Sequence, residues 1–193
     1  TVQLALNGAS HVHAIDRDER AVTNTLDNAF RNHVAESVSA EVADIFPWLP
    51  EERYEVVVAN LPQTPIDPRS QLSSHRPTDY WGRGLVDHLI GKLPRALAPE
   101  GRAYVTLTSL LSRERTISLS AASGLDADVV AWELQELPDE YQAEGEHLTQ
   151  IELGSDAYTL RVGEDLVLVT YVLEIRHATT RAASAPPPWT TKS

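Results

Sequence analysis

The chain has no cysteine and no methionine in 193 residues, and only 16 Lys and Arg stand against 28 Asp and Glu. Without cysteine there is no disulfide and no thiolate metal site, and the redox compartment stays open. A net charge of -12 argues against broad binding to nucleic acid, because affinity for a phosphate backbone rests on clustered Lys and Arg. Arg102, Arg113 and Arg115 are the candidates for a local basic patch. They are few, and read as a solvated helix start rather than a phosphate clamp. No apolar run is long enough to span a bilayer, and neither a signal peptide nor an internal repeat is visible. The length suits one α/β domain with a substantial core.

What is present begins with a short apolar run, Val56-Val57-Val58-Ala59, leading into Asn60-Leu61-Pro62-Gln63. Residues 55–59 read as a strand buried on both faces of a parallel sheet, and Pro62 stops it from continuing in the ladder. Asn60 then sits at the strand's carboxyl end, where open α/β sheets bind ligands. Alone it reads equally well as the start of a turn. Upstream, a helix over 2–7 capped by Gly8 precedes a strand over 11–15 that ends on Asp16. A carboxylate in that position can accept both hydroxyls of a ribose. A helix over 20–32 follows, with Ala21, Val22, Thr25, Leu26 and Ala29 on one face. A strand over 38–42 then leads into Ala43-Asp44-Ile45-Phe46. Asp44 can receive a hydrogen bond from an exocyclic adenine amine, with Ile45 or Phe46 against the base. Each Asp alone reads as a helix cap or turn residue. Polar residues at three successive strand ends point instead to one ligand edge.

These residues carry a resemblance. Gly8 to Asp16, Ala21 to Asn28 with Asn32, Ala43-Asp44, Asn60 to Gln63, Asp79 to Val86 and the stretch from Ala98 into a strand over 103–108 resemble the class I S-adenosylmethionine-dependent methyltransferases. The branch is the one with an Asn-Pro-Pro-Tyr type motif, which includes the HemK/PrmC-like glutamine methyltransferases and the "small domain" methyltransferases. The resemblance implies a Rossmann-like α/β sheet, mostly parallel with a C-terminal antiparallel strand. It implies S-adenosyl-L-methionine as cofactor, held by Asp16, Arg17, Asp44, Ile45, Phe46 and Asn60, and a methyl-transfer site at Asn60, Leu61, Pro62 and Gln63. In the family, the Asn oxygen and the next backbone carbonyl accept the two N–H bonds of a target nitrogen, and an aromatic residue stacks on the target. Here Leu61 replaces the first Pro, and Gln63 replaces the aromatic, where it is expected to hydrogen-bond a polar acceptor. The family's first strand and glycine loop are expected before Thr1. The lack of any methionine agrees with a start that is cut off, and Gly82 and Gly84 lie too far downstream to be that loop.

The remaining segments sort into scaffold and substrate side. Residues 64–80 form a polar loop with three prolines, carrying Ile66, His75, Arg76, Asp79 and Tyr80 and leading into Trp81. Such a loop at a ligand edge commonly covers the substrate. His75 reads as a solvated loop residue. Residues 116–122 read as a helix, and a strand over 127–137 with a final strand over 167–176 matches the family's closing reversed hairpin. Residues 138–165 hold a possible hairpin around 157–162. Glu144, Glu146 and His147 read as solvated polar-loop residues and not metal ligands, because no second histidine stands at ligand spacing. Residues 1–177 are expected to form an N-terminally incomplete methyltransferase domain, and 178–193 a mobile tail. The expected partner is a protein or small-molecule methyl acceptor in the cytoplasm, with no membrane. Two other classes remain: a Rossmann-type NAD(P)-dependent oxidoreductase, which also places an acid like Asp16, and a non-catalytic binding subunit with the same fold.

Overall fold

The computed structural model describes residues 1–67, 69, 79–138 and 144–178. The segment 139–143, the loop positions 68 and 70–78 with His75 and Arg76, and the expected tail beyond 178 lie outside the described residues. The chain divides into two compact units, Thr1–Glu51 and Glu52–Ser193.

The first unit is a short βα unit. Helix α1 (Val2–Leu6) ends before Gly8, whose φ of 97° suits a residue without a Cβ. Strand β1 (Val12–Asp16), helix α2 (Glu19–Arg31) and strand β2 (Val38–Val42) follow. Asp18 starts α2 by accepting a hydrogen bond from Arg20 N at 2.9 Å. The two strands are parallel, from Val12 opposite Val38 to Asp16 opposite Val42. Val12, Ala29 and Val38 form the core, with Val2, Leu4, Ala5, Ala9 and Val34 against them. The expected apolar face of α2 is narrower than its periodicity suggests. Val22 and Ala29 are buried, whereas Leu26 is 42% exposed.

In the second unit, strand β3 (Tyr54–Ala59) is followed by helix α3 (Gly84–Ala96), strand β4 (Leu97–Thr108), helix α4 (Arg113–Ala122) and strand β5 (Leu125–Glu136). Helix α5 (Gly145–Gly154), strand β6 (Leu160–Val162) and strand β7 (Asp165–His177) complete it. The sheet order is β3-β4-β7-β5, with β6 added alongside β7. β3 and β4 are parallel, and β7 is antiparallel to both β4 and β5. This is the reversed closing strand that the family resemblance implies. Val86, Ile90 and Leu93 of α3, Ala103, Val105 and Leu107 of β4, and Leu173 and Ile175 of β7 are fully buried. Each large side chain among them contributes about 1.5–3 kcal/mol by leaving water.

Three local expectations are corrected. β3 is not buried on both faces, because Val56 is 48% and Val58 57% exposed. Among the described residues β3 pairs only with β4, and nothing in its own unit covers that face. β4 starts at Leu97, ahead of the expected 103, running through Gly101. A Cβ there would lie 2.6 Å from the Tyr54 carbonyl oxygen, so glycine permits the close strand approach. Glu146 and His147 lie on α5 rather than in a polar loop, because His147, Leu148 and Ile151 bury one helical face.

Candidate functional site

In the first unit the strand ends carry the carboxylates. Asp16 is the last residue of β1 and is exposed. Its Oδ1 accepts from Asp18 N at 2.8 Å, which fixes the carboxylate at the entry to α2. The ladder continues one step further through Ala43 N, which donates to the Asp16 carbonyl at 2.9 Å. That bond brings Asp16 beside the Ala43-Asp44 segment. Asp44 is exposed and turns its own chain, with Oδ1 accepting from Phe46 N at 2.9 Å. The Phe46 ring is 46% exposed, Ile45 half-buried and Arg17 exposed. Both carboxylates therefore use one oxygen locally, and neither other oxygen has a hydrogen-bond partner among the described residues.

In the second unit the end of β3 is clamped to β4. Asn60 is exposed, and its Oδ1 accepts from the Thr106 hydroxyl at 2.7 Å. A hydroxyl can donate to an amide oxygen or accept from an amide nitrogen, so Thr106 fixes the plane of the Asn60 amide in either orientation. Leu61 and Pro62 are half-buried. Gln63 is buried, with both ends of its amide on the β4 backbone. Its Nε2 donates to the Thr106 carbonyl at 2.7 Å, and its Oε1 accepts from Thr108 N at 2.9 Å. The side chain takes the place of a strand neighbour for β4 after Pro62 has ended the ladder. Beside it, Thr108 Oγ1 is buried without a hydrogen-bond partner among the described residues.

The chain beyond Gln63 is pinned by Asp79 and Gly82. Pro65 bridges to Asp79, and Ile66 N donates to the Asp79 carbonyl at 3.2 Å. The Asp79 carboxylate accepts from Trp81 N, Arg83 N and Gly84 N at 2.9, 3.2 and 2.6 Å. Gly82 has a φ of 66°, and a Cβ on it would meet Pro65 N at 2.7 Å and the Thr64 carbonyl carbon at 2.8 Å. Arg83, 4% exposed, then ties the start of α3 to α4, donating to the Ser112 carbonyl, Asp87 and Thr116. A cavity of about 310 Å³ next to this turn is lined by Asp67, Arg69, Tyr80, His147, Thr149 and Gln150 among others. The Arg69 guanidinium hydrogen-bonded to Asp67 holds that carboxyl at about 2. His147 is buried, with its Nε2 2.9 Å from the Tyr80 carbonyl oxygen and its ring edge-on to the Tyr80 ring. In the neutral tautomer that donates from Nε2, the other nitrogen is an acceptor.

Sequence reasoning missed the aromatic group at the carboxyl end of β4, the end that also carries Thr106 and Thr108. The Tyr158 hydroxyl is hydrogen-bonded to the Tyr171 hydroxyl, and the Arg113 guanidinium lies 5.5 Å from the centre of the Tyr171 ring. Burial, then the bond to Tyr171, push the Tyr158 phenol up to about 12. Ser109 joins the two segments, accepting from Tyr158 N on its carbonyl and from Val169 N on its hydroxyl. Of the arginines considered as a basic patch, Arg102 is paired with Glu174 and Arg115 with Asp87. The only forward signal for this group was the apolar, β-branched stretch of β7 that carries Tyr171.

Comparison with known proteins bears on this geometry. The sequence model of the ribosomal protein L11 methyltransferase family (PrmA) matches residues 1–71, which include Asp16, Asp44 and Asn60. No curated protein matches the chain. Among solved structures, the YcgJ protein of Bacillus subtilis is 10% identical, with 92% of this chain and 88% of that chain covered at a TM-score of 0.56. The 4+2 cyclase SpnF is 13% identical, with 92% and 71% covered at 0.53. A protein provisionally named a methyltransferase, from Thermoplasma acidophilum, is 18% identical at 0.52, with 91% of this chain and 61% of that chain covered. The chain thus spans about 61% of the length of the Thermoplasma protein. At these identities the likeness is one of fold, a mixed α/β, Rossmann-like sheet. No helix among the described residues is long and apolar enough to cross a membrane.

Proposed function

We propose that this chain is part of an S-adenosyl-L-methionine-dependent methyltransferase acting on an amide or amino nitrogen of a protein or small molecule. The observation that carries the reading is the strand-end groups, Asp16 and Asp44 in the first unit and Asn60 after β3 in the second, all within the stretch that matches the PrmA family. The donor set fits the nucleoside end of the cofactor. The open oxygen of Asp16 suits a ribose diol, Asp44 suits an exocyclic amine, and the exposed Phe46 ring with Ile45 suits a flat base. When bound, the cofactor supplies an electrophilic methyl group on a sulfonium.

Asn60 positions the acceptor in this reading. Its side-chain oxygen and the Leu61 carbonyl accept the N–H bonds of the target, which turns the nitrogen lone pair toward the methyl carbon. The nitrogen so aligned would take the methyl group that the bound cofactor supplies, and the proton it loses would pass to water. No side chain acts as an essential strong base. Thr106 holds the Asn60 amide plane. Gln63 serves as the brace that fixes the turn between Asn60 and Thr64, in place of a contact with the acceptor. The HemK/PrmC-like branch remains the finer form of this proposal.

Calorimetric titration with S-adenosyl-L-methionine and with NAD(P) tests the reading. Binding of the first, weakened by Asp16→Ala, supports it. Binding of a nicotinamide nucleotide alone makes the chain an oxidoreductase, and binding of neither makes it a scaffold subunit.

A further inference from the structure

Strand β5 is 12 residues long. Among the described residues its only partner is β7, so one full edge of backbone N–H and C=O groups has no ladder partner there. From Asp128 to Glu136 every residue is exposed. Val130 is 51%, Trp132 65% and Leu134 49% exposed. Trp132 and Leu134 stand opposite Tyr171 and Val169 of β7, whose own side chains are only 6% and 5% exposed. The apolar face that is covered over β7 is thus laid bare one strand further out. Natural edges are commonly blunted by Lys, Pro or brevity. β5 has no Lys, Arg or Pro, and its one interruption is a register shift at Val130.

Charge decides what fits this edge. Asp126, Asp128, Glu133 and Glu136 lie along the strand with no cation among them. Arg176 neutralises Asp128 from β7 at 2.9 Å. Glu133 accepts only from the Gln135 amide, and Glu136 meets no cation among the described residues. A second copy would lay one acidic, cation-free strand against another, and like charges across a ladder repel. Asp126, Asp128 and Glu133 stand opposite Arg176, Glu174 and Thr170 on one face, whereas Trp132, Leu134 and Glu136 share the other. A strand carrying Lys or Arg between apolar residues would therefore meet the first row with its charges and Trp132 and Leu134 with its apolar side.

We propose that the outer edge of β5 is a docking strand, which takes an extended segment of a partner protein with alternating basic and apolar residues by adding it to the sheet. Main-chain hydrogen bonds would give the affinity, and the acid and apolar rows the selectivity. The proposal stands independently of methyl transfer, since β5 carries none of the residues assigned to it.

The test uses the full chain and a nine-residue peptide of alternating Val and Lys. Its controls are the same peptide N-methylated at alternate backbone nitrogens, and a Val-Glu peptide. The Val-Lys peptide should bind, and should weaken at least about tenfold as salt rises from about 50 to about 300 mM. Both controls should bind at least about tenfold more weakly. Amide hydrogen exchange should slow in Asp128–Glu136 on binding and stay unchanged in Arg102–Thr108. The double variant Asp128→Lys, Glu133→Lys, with an unchanged circular dichroism spectrum, should lose at least about tenfold in affinity. Absence of binding, or equal binding of the N-methylated peptide, would overturn the proposal. So would a chain that sediments alone as a dimer with its β5 amides already protected, because the edge would then belong to a second copy.

Discussion

The Thr106 hydroxyl lies 2.7 Å from Oδ1 of Asn60, joining the end of β3 to β4 through one side-chain pair. In the proposed mechanism, Thr106 is a positioning residue and Asn60 the group that meets the acceptor. Asn60→Ala should lower kcat by roughly 100-fold and leave cofactor affinity nearly unchanged. Thr106→Val should lower kcat by about tenfold, and Thr106→Ser, which keeps the hydroxyl, should restore most of it. A Thr106→Val enzyme with unaltered kcat and a raised KM for the acceptor would show that the hydroxyl contacts the substrate instead.

Gln63 makes a stability prediction. Gln63→Leu keeps much of the volume but leaves the Thr106 carbonyl and Thr108 N without their partner, at about 1–3 kcal/mol for each buried group. Urea unfolding should record a loss within that range or above it. If stability is unchanged and acceptor KM rises, Gln63 belongs to the substrate site and the brace assignment fails.

Asp16→Ala removes the proposed ribose acceptor. Cofactor affinity should fall by about 1.5–3 kcal/mol for each charge-assisted bond lost, read by calorimetry. Asp16→Asn, which keeps the shape and one acceptor oxygen, should fall between the two. Equal affinity across all three proteins would move the cofactor away from β1.

The Tyr158 phenol, raised from 10.0 to about 12, makes a prediction about alkaline stability. The neutral phenol is the form the fold favours, so its contribution is fully present below pH 10 and disappears as pH rises from about 10 to about 12. The urea midpoint of the wild type should therefore drop more steeply than that of Tyr158→Phe across this window. Parallel curves would assign the alkaline loss to another group.

The elements themselves were legible, because periodicity and turn residues are local properties. β2 has the expected bounds, β1 and α2 are displaced by one residue, and β7 is the strand its apolar run suggests, running in the reversed direction that the family resemblance implies. What escaped was tertiary. An uninterrupted apolar run such as Val56 to Val58 reads as doubly buried, yet burial depends on which layers cover a strand, and periodicity does not record that. His147 looked like a solvated loop residue because its acidic neighbours masked the helical spacing of His147, Leu148 and Ile151. Asp16, Asp44 and Asn60 stand at or just past strand ends, as their sequence positions suggest. Thr106 was not singled out, since nothing local marks a threonine inside a strand as the partner of a residue 46 positions away. Gln63 was noticed as a departure from a motif, but its two bonds to β4 are visible only in three dimensions.

The central position of β7 has a consequence for how the second unit assembles. β4 and β5 are joined only through the strand that comes last among the described elements, with Arg102 opposite Arg176 at one side and Leu125 opposite His177 at the other. Until that strand arrives, β4 has only β3 as a ladder neighbour and β5 has none. The sheet therefore closes by long-range contacts after its helices have formed, which makes for slow folding and a vulnerable intermediate. Substitutions at Leu173 or Ile175 should be felt more in the speed of folding than equal truncations at the exposed end of β5.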